Sequence, residues 1–201
     1  MKKIKFVGPY SWQATGGLPS VIKSSEARST YGIYLWTVKV SDGMLISYVG
    51  ETGRGEAPSF SKRFGKHLSD QRSGKYKIYD TNLLKRGKRE WIWPGASDDG
   101  AIKCSKQRKK QFDERYDELS PHLEELISTY KFYIAPFKGP QRLRLRIEAA
   151  IAEYLKAQRG RIGGFHEPGV RYHLRQGHES QIKIHISSDD KLIGVPKELF
   201  V

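Results

Sequence analysis

Two runs rich in aromatic and β-branched side chains, residues 31–40 (YGIYLWTVKV) and 44–50 (MLISYVG), stand either side of Ser41-Asp42-Gly43. Such residues fit a half-buried pleated surface and an Asp-Gly turn reverses the chain, so the pattern predicts a β-hairpin. Thr129 to Phe137 (TYKFYIAPF) reads as a third strand and residues 181–187 (QIKIHIS) as a further one in the tail. Ser59 is placed to cap a helix running to about Ser73, with Phe60, Phe64 and His67 or Leu68 at helical spacing. After Gly139-Pro140 a second helix is predicted from Gln141 to Gln158, its apolar stripe formed by Leu143, Ile147, Ile151, Tyr154 and Leu155. Its RLRLRI opening also alternates like a strand, but the longer period favours the helix. Between these elements lie the apolar patch REWIWPG at 89–95 and predicted helices near 105–118 and 120–128, the latter opened by Ser120-Pro121. Ile4 to Val7 reads as a short strand, followed by a Gly- and Ser-containing lead-in over residues 8–29. The expected class is α/β (α+β): a small, mostly antiparallel central sheet flanked by helices, with a helical insertion and a C-terminal extension.

Charge narrows the partners. The chain has 201 residues, 37% of them hydrophobic, enough to close a core, and 36 Lys and Arg against 22 Asp and Glu give a net charge of +14. That balance favours a polyanion, either nucleic acid or an acidic membrane surface. No apolar run approaches the roughly 20 residues of a membrane span, and nothing after the Lys2, Lys3 and Lys5 start reads as a signal-peptide core. Cys104 is the only cysteine, which excludes an internal disulfide and a cysteine-rich zinc site and suits a reducing, cytoplasmic setting. His166, His173, His178 and His185 have spacings that match no zinc motif, so a basic, His-rich DNA-contacting tail is the preferred reading. An acidic stretch over 113–125 is expected to face away from an anionic ligand, while clusters at 85–89, 103–110 and 142–146 are expected to grip one.

Gly32-Ile33-Tyr34 in the first strand, Tyr48-Val49-Gly50 in the second, a helix with Arg63 and His67, a third strand and a helix with Glu148 follow one another in that order. This order resembles the GIY-YIG nuclease family over residues 30–160, with an insertion near 85–128, an N-terminal extension 1–29 and a C-terminal extension 161–201. Only Val49 departs from the two motif triplets. The resemblance implies a DNA endonuclease that hydrolyses phosphodiester bonds of double-stranded DNA, of the stand-alone, type II restriction kind. It also implies roles: Tyr48 as general base, Tyr34 positioning water or phosphate, Arg63 holding the scissile phosphate, His67 assisting, and Glu148 binding Mg²⁺, with Mn²⁺ able to substitute.

The chemistry is consistent with those residue types. Phosphodiester hydrolysis needs a proton acceptor, a cation for the transition-state charge and a metal or acid for the leaving oxygen. A tyrosine, with an ordinary pKa near 10, needs neighbouring cations to act as a base, and Lys62 and Lys66 flank Arg63. Arginine's planar fork suits phosphate, and magnesium accepts one or two protein carboxylates. Singly, each residue has a plainer reading: the tyrosines as sheet aromatics, Arg63 as a surface cation, His67 as a helix-edge residue, Glu148 as an i, i+4 partner of Arg144. Glu51 beside the second motif reads as a partner for Arg or Lys.

DNA grip is assigned to Lys62, Lys66, Arg86, Lys88, Arg89, Arg142, Arg171 and Arg175, and base contacts to Trp91, Trp93, Arg171, Tyr172, Arg175 and Gln176. Those aromatics and arginines also suit a homodimer contact. Where many family members carry an asparagine beyond the glutamate, this chain has Gly160, Arg161, Ile162 and Gly163, and its one asparagine is Asn82. Either Gln158 or the tail from Phe165 onward supplies a substitute, or activity is reduced. Two alternatives therefore stand beside the restriction reading: a structure-specific repair or phage nuclease, and a catalytically inactive nucleic-acid-binding module.

Overall fold

The computed structural model describes residues 1–53, 59–97, 105–157 and 173–201. The hairpin forms as β2 (Gly32–Val40) and β3 (Gly43–Glu51), and β6 (Tyr130–Pro136) pairs antiparallel with β2. Alternation sends Ile33, Leu35, Tyr133 and Ala135 to one face and Tyr34, Trp36, Phe132 and Ile134 to the other. Helix α6 (Gln141–Ala157) covers the first face with Leu143, Ile147, Ile151 and Leu155, whereas Tyr154, expected in that stripe, is exposed. Helices α2 (Phe60–Arg72) and α5 (Tyr116–Thr129) cover the second, with Phe60, Phe64, Leu119, Leu123 and Leu126 in its core.

The two ends of the chain belong to the sheet. Strand β1 (Lys2–Tyr10) lies between β6 and β7 (Lys183–Ser188), and the segment after it is held by buried Trp12 and Val21 before α1 (Ser25–Ser29). The lead-in expected over residues 8–29 is thus partly core. Seven strands run in the order β8-β3-β2-β6-β1-β7-β9, with β8 (Leu192–Ile193) and β9 (Glu198–Phe200) from the tail. Of the six pairings, β1 with β7 and β3 with β8 are parallel and the rest antiparallel. Asp189 to Lys191 alone join β7 to β8, a reach of at most about 14 Å. A flat sheet would hold these strands about 24 Å apart, so the sheet curls.

The region between α2 and β6 holds a small second sheet of β4 (Ile78–Tyr79) and β5 (Trp91–Trp93), with α3 (Thr81–Lys85) between them. Here the expected helix boundary moves: α4 (Lys106–Glu114) ends at Arg115, and α5 runs through Pro121. Proline removes one helical N–H, but Pro121 and Asp117, four residues earlier, are both exposed, so the freed carbonyl lies on the solvent side of the helix. The acidic stretch also meets part of the basic surface, since Arg72 pairs with Glu124 at 3.4 Å and Lys85 with Glu125 at 4.0 Å.

A buried ion pair ties α6 to the end of the hairpin. Arg144 Nε donates to Glu51 Oε1 at 2.7 Å, with side chains 5% and 1% exposed, and its Nη groups donate to the Gly139 and Gly53 carbonyls at 2.6 and 3.2 Å. The guanidinium stacks on Tyr31 at 4.8 Å. Arg144→Ala leaves the Glu51 charge buried and alone, so equilibrium urea unfolding is expected to show a loss of about 3–5 kcal/mol. The Arg144→Ala/Glu51→Ala double variant is expected to lose less than the sum of the two single losses.

Candidate active site

A slip in the hairpin decides where the motif tyrosines point. Tyr34 faces Gly50 and Trp36 faces Tyr48, yet Thr37 faces Ile46, leaving Ser47 unopposed. An unbroken register would set Tyr48 opposite Leu35, on the α6 face. The bulge returns it to the face of Tyr34, and the two rings lie 6.0 Å apart. The motif glycines mark close approaches: a side chain at Gly50 would overlap the Tyr34 hydroxyl, and one at Gly32 the Ala135 carbonyl.

Helix α2 supplies the other side of the site. Ser59 caps it by accepting from the Lys62 N–H, and Phe60, Phe64, His67 and Gln71 form its buried face. His67 is therefore carried into the core against Tyr34, with Trp36 packed edge-on at 5.1 Å, and Arg63 follows one turn earlier. The Tyr34 hydroxyl is 2.8 Å from His67 Nε2, and Arg63 Nε donates to it at 3.1 Å. Tyr48 stands beside the same hydroxyl, its ring 6.0 Å from that of Tyr34, and both it and the Glu148 charge act on the Tyr34 hydroxyl. Four of the five residues thus converge directly, and Glu148, buried on α6, acts on the same hydroxyl electrostatically.

The network continues through two residues that the sequence reading missed. His67 Nδ1 is 3.1 Å from the Tyr76 hydroxyl, which donates to Asp70 Oδ2 at 3.0 Å. Lys66 and Lys75 pair with that carboxylate at 3.1 and 3.5 Å. Asp70 lies three residues beyond His67 on the same helix, a spacing visible in the sequence, whereas Tyr76 follows the helix end and carries no local signal. Donor directions follow by elimination. A carboxylate only accepts, so Tyr76 gives it a proton and takes one from His67 Nδ1–H. His67 Nε2 then accepts from Tyr34, whose oxygen accepts from Arg63, a group that only donates.

Electrostatics agree with this assignment. Burial, followed by Arg63, Lys66 and Lys75, holds the His67 pKa well below its ordinary value, so the ring is neutral at pH 7. Burial raises Tyr34 to about 12 despite the opposing pull of Arg63, which keeps Tyr34 protonated. Tyr48 is half-buried and open to solvent on one side. For a metal, the described residues contain no group of three or more His, Cys, Asp or Glu ligands. A single buried carboxylate, Glu148, suits a hard dication that completes its shell with water and phosphate oxygens.

The cations expected to grip DNA divide. Lys62, Lys66, Arg86, Lys88 and Arg175 are exposed. Arg89 is half-buried and donates to the Ser47 carbonyl at the bulge. Arg142 forms a two-pronged pair with Glu179 at 2.7 and 2.6 Å, holding that carboxylate down to about 2, and Arg146 donates to the Ser180 carbonyl at 2.7 Å. With Arg144 on Glu51, the cluster at 142–146 is committed to the fold, and the rival Arg144–Glu148 pair is displaced by Arg144–Glu51. Trp91 is exposed and Trp93 buried. Arg171, Tyr172, Gln158, Phe165 and His166 lie outside the described residues.

His67 generates a stability prediction. Its folded pKa lies below the unfolded value, so the unfolded chain binds more protons in the window below pH 6.5. Its contribution is present above that pH and lost on acidification, with a slope of up to about 1.4 kcal/mol per pH unit. Urea unfolding between pH 5 and 7 is expected to show that slope, reduced in His67→Phe.

Comparison of this chain with protein-family models, with curated proteins and with solved structures finds no match in any of the three.

Proposed function

We propose that this protein is a divalent-metal-dependent endonuclease that hydrolyses phosphodiester bonds in double-stranded DNA, acting as a stand-alone restriction-type enzyme. The observation that carries the reading is the meeting of Tyr34, Tyr48, Arg63 and His67 at one hydroxyl, with the Glu148 charge acting on the same point. Sheet packing alone gives no reason for a buried phenol to collect a guanidinium, an imidazole and a second phenol. Each such group costs free energy to bury, and a purely structural face would be filled by apolar side chains.

In this reading the two tyrosines divide their roles by exposure. Tyr34, buried and protonated, aligns the site, and Tyr48 meets the attacking water. Arg63 commits its Nε to Tyr34, and its Nη groups make no bond to another described residue, so they are placed to hold the scissile phosphate. Water attacks phosphorus in line. Its proton passes to the Tyr48 oxygen as the new P–O bond forms and the bond to the leaving sugar oxygen breaks. A dication held by Glu148 would supply Lewis-acid stabilisation of that leaving oxygen. The exposed Lys62, Lys66, Arg86 and Lys88 would contact the DNA backbone.

Incubation with supercoiled plasmid tests the proposal. Discrete bands are expected with Mg²⁺ and intact plasmid with EDTA. Glu148→Ala is expected to retain DNA in a gel-shift assay while cleaving at least about 100-fold more slowly. Cutting of branched oligonucleotides alone would move the assignment to a structure-specific nuclease. Retardation with no cleavage in any metal would leave a binding module.

A further inference from the structure

The catalytic reading leaves one proton unaccounted for. Tyr48 is a phenol, and to accept a proton from water it must give up its own. A resting phenolate at neutral pH is unfavourable, because a tyrosine ionises near pH 10 unless strongly perturbed. Every hydrogen bond leading inward from Tyr34, which lies beside Tyr48, points away from it, and the path ends on a carboxylate.

We propose that Asp70 is the terminal acceptor of the proton taken from the attacking water, reached from Tyr48 through Tyr34, His67 and Tyr76. The inference rests on the nuclease reading above. The path runs from Tyr48, whose ring lies 6.0 Å from that of Tyr34, through contacts of 2.8 Å from the Tyr34 hydroxyl to His67 Nε2, 3.1 Å from His67 Nδ1 to Tyr76, and 3.0 Å from Tyr76 to Asp70 Oδ2.

Protons each move one place. The Tyr48 proton passes to the Tyr34 oxygen, the Tyr34 proton to His67 Nε2, the Nδ1 proton to the Tyr76 oxygen, and the Tyr76 proton to Asp70. Tyr48 is refilled from water. The net change is one proton lost by the water and one gained by Asp70, and each intermediate residue keeps its charge. His67 exchanges one neutral tautomer for the other, which suits a ring whose cationic form is disfavoured by burial. A carboxylate is a weaker base than a phenolate by about six pKa units. It is sufficient here because water becomes strongly acidic as its oxygen bonds to phosphorus. Asp70, at the inner end of the path, also reaches solvent, with its side chain 14% exposed, so it can release the proton between turnovers.

The charged groups around the path fit this direction. Lys66 and Lys75 pair with Asp70 and hold it in place, Arg63 faces Tyr34 and His67, and Glu148 acts on Tyr34. Asp70 and Tyr76 are positioning residues that touch no substrate, so their test needs a readout that simple structural support would not move.

Asp70→Asn keeps an acceptor for Tyr76 but cannot take a proton, and Tyr76→Phe breaks the path one step earlier. Single-turnover cleavage and DNA binding are measured from pH 6 to 9. The wild type is expected to be nearly flat. Both variants should bind DNA as the wild type does and cleave at least tenfold more slowly at pH 7. Their rate should rise about tenfold per pH unit, because hydroxide from solvent must then remove the proton. Asp70→Glu, which restores a carboxylate, is expected to flatten the profile again. Nitrogen-15 NMR of the wild type reads the path without any reaction, with His67 expected as the Nδ1–H tautomer. Variants that keep a flat, wild-type profile, or a His67 found protonated on Nε2, would overturn the relay and leave the nuclease reading intact. A wild type that cleaves no DNA in any metal would overturn the nuclease reading and the relay with it. If Asp70→Asn fails to fold by circular dichroism, Tyr76→Phe and the tautomer measurement decide.

Discussion

Ser47 has no residue opposite it in β2, and the side chains of β3 change face at that point. Because strand side chains alternate with a period of two, one extra residue is enough to move Tyr48 from the α6 face to the face of Tyr34. The unopposed Ser47 carbonyl accepts from Arg89, so a cation from the chain after α3 helps hold the irregularity. Without the bulge the two motif phenols would lie on opposite faces of the sheet.

Around Tyr34 the structure sets polar groups inside an aromatic wall. Trp36, Phe60 and Phe64 pack against Tyr34 or His67 and exclude water, which makes each hydrogen bond of the chain from Arg63 to Asp70 stronger and each missing one more costly. Burial stabilises the neutral forms of Tyr34 and His67, and their hydrogen-bond partners set their protons in a single direction. Stability and the proposed chemistry therefore draw on the same desolvation, and the half-buried ends of the network, Tyr48 and Asp70, are where solvent can reach it.

The net charge of +14 overstates the surface available to a polyanion. Arg142, Arg144 and Arg146 hold Glu179, Glu51 and backbone carbonyls, binding α6 to the tail and to the end of the hairpin. Among the described residues, exposed cations remain on α2, at Lys62 and Lys66, and on the chain following α3, at Arg86 and Lys88.

Local order was legible in the sequence. The hairpin, the strand before α6, the Ser59 cap and the apolar stripes of α2 and α6 follow from side-chain periodicity and turn chemistry, both of which act over a few residues. The candidate residues Tyr34, Tyr48, Arg63, His67 and Glu148 could be named from their order along the chain. Tertiary structure alone decided that β1 enters the sheet beside β6, that the tail strands reach both sides of it, and that α5 begins at Tyr116. It also decided that Asp70 and Tyr76 complete the network and that Arg144 belongs to Glu51. Long-range pairing has no local code: a single-residue slip or a partner 93 positions away leaves periodicity unchanged, and only the packed chain selects between alternatives that are locally equivalent.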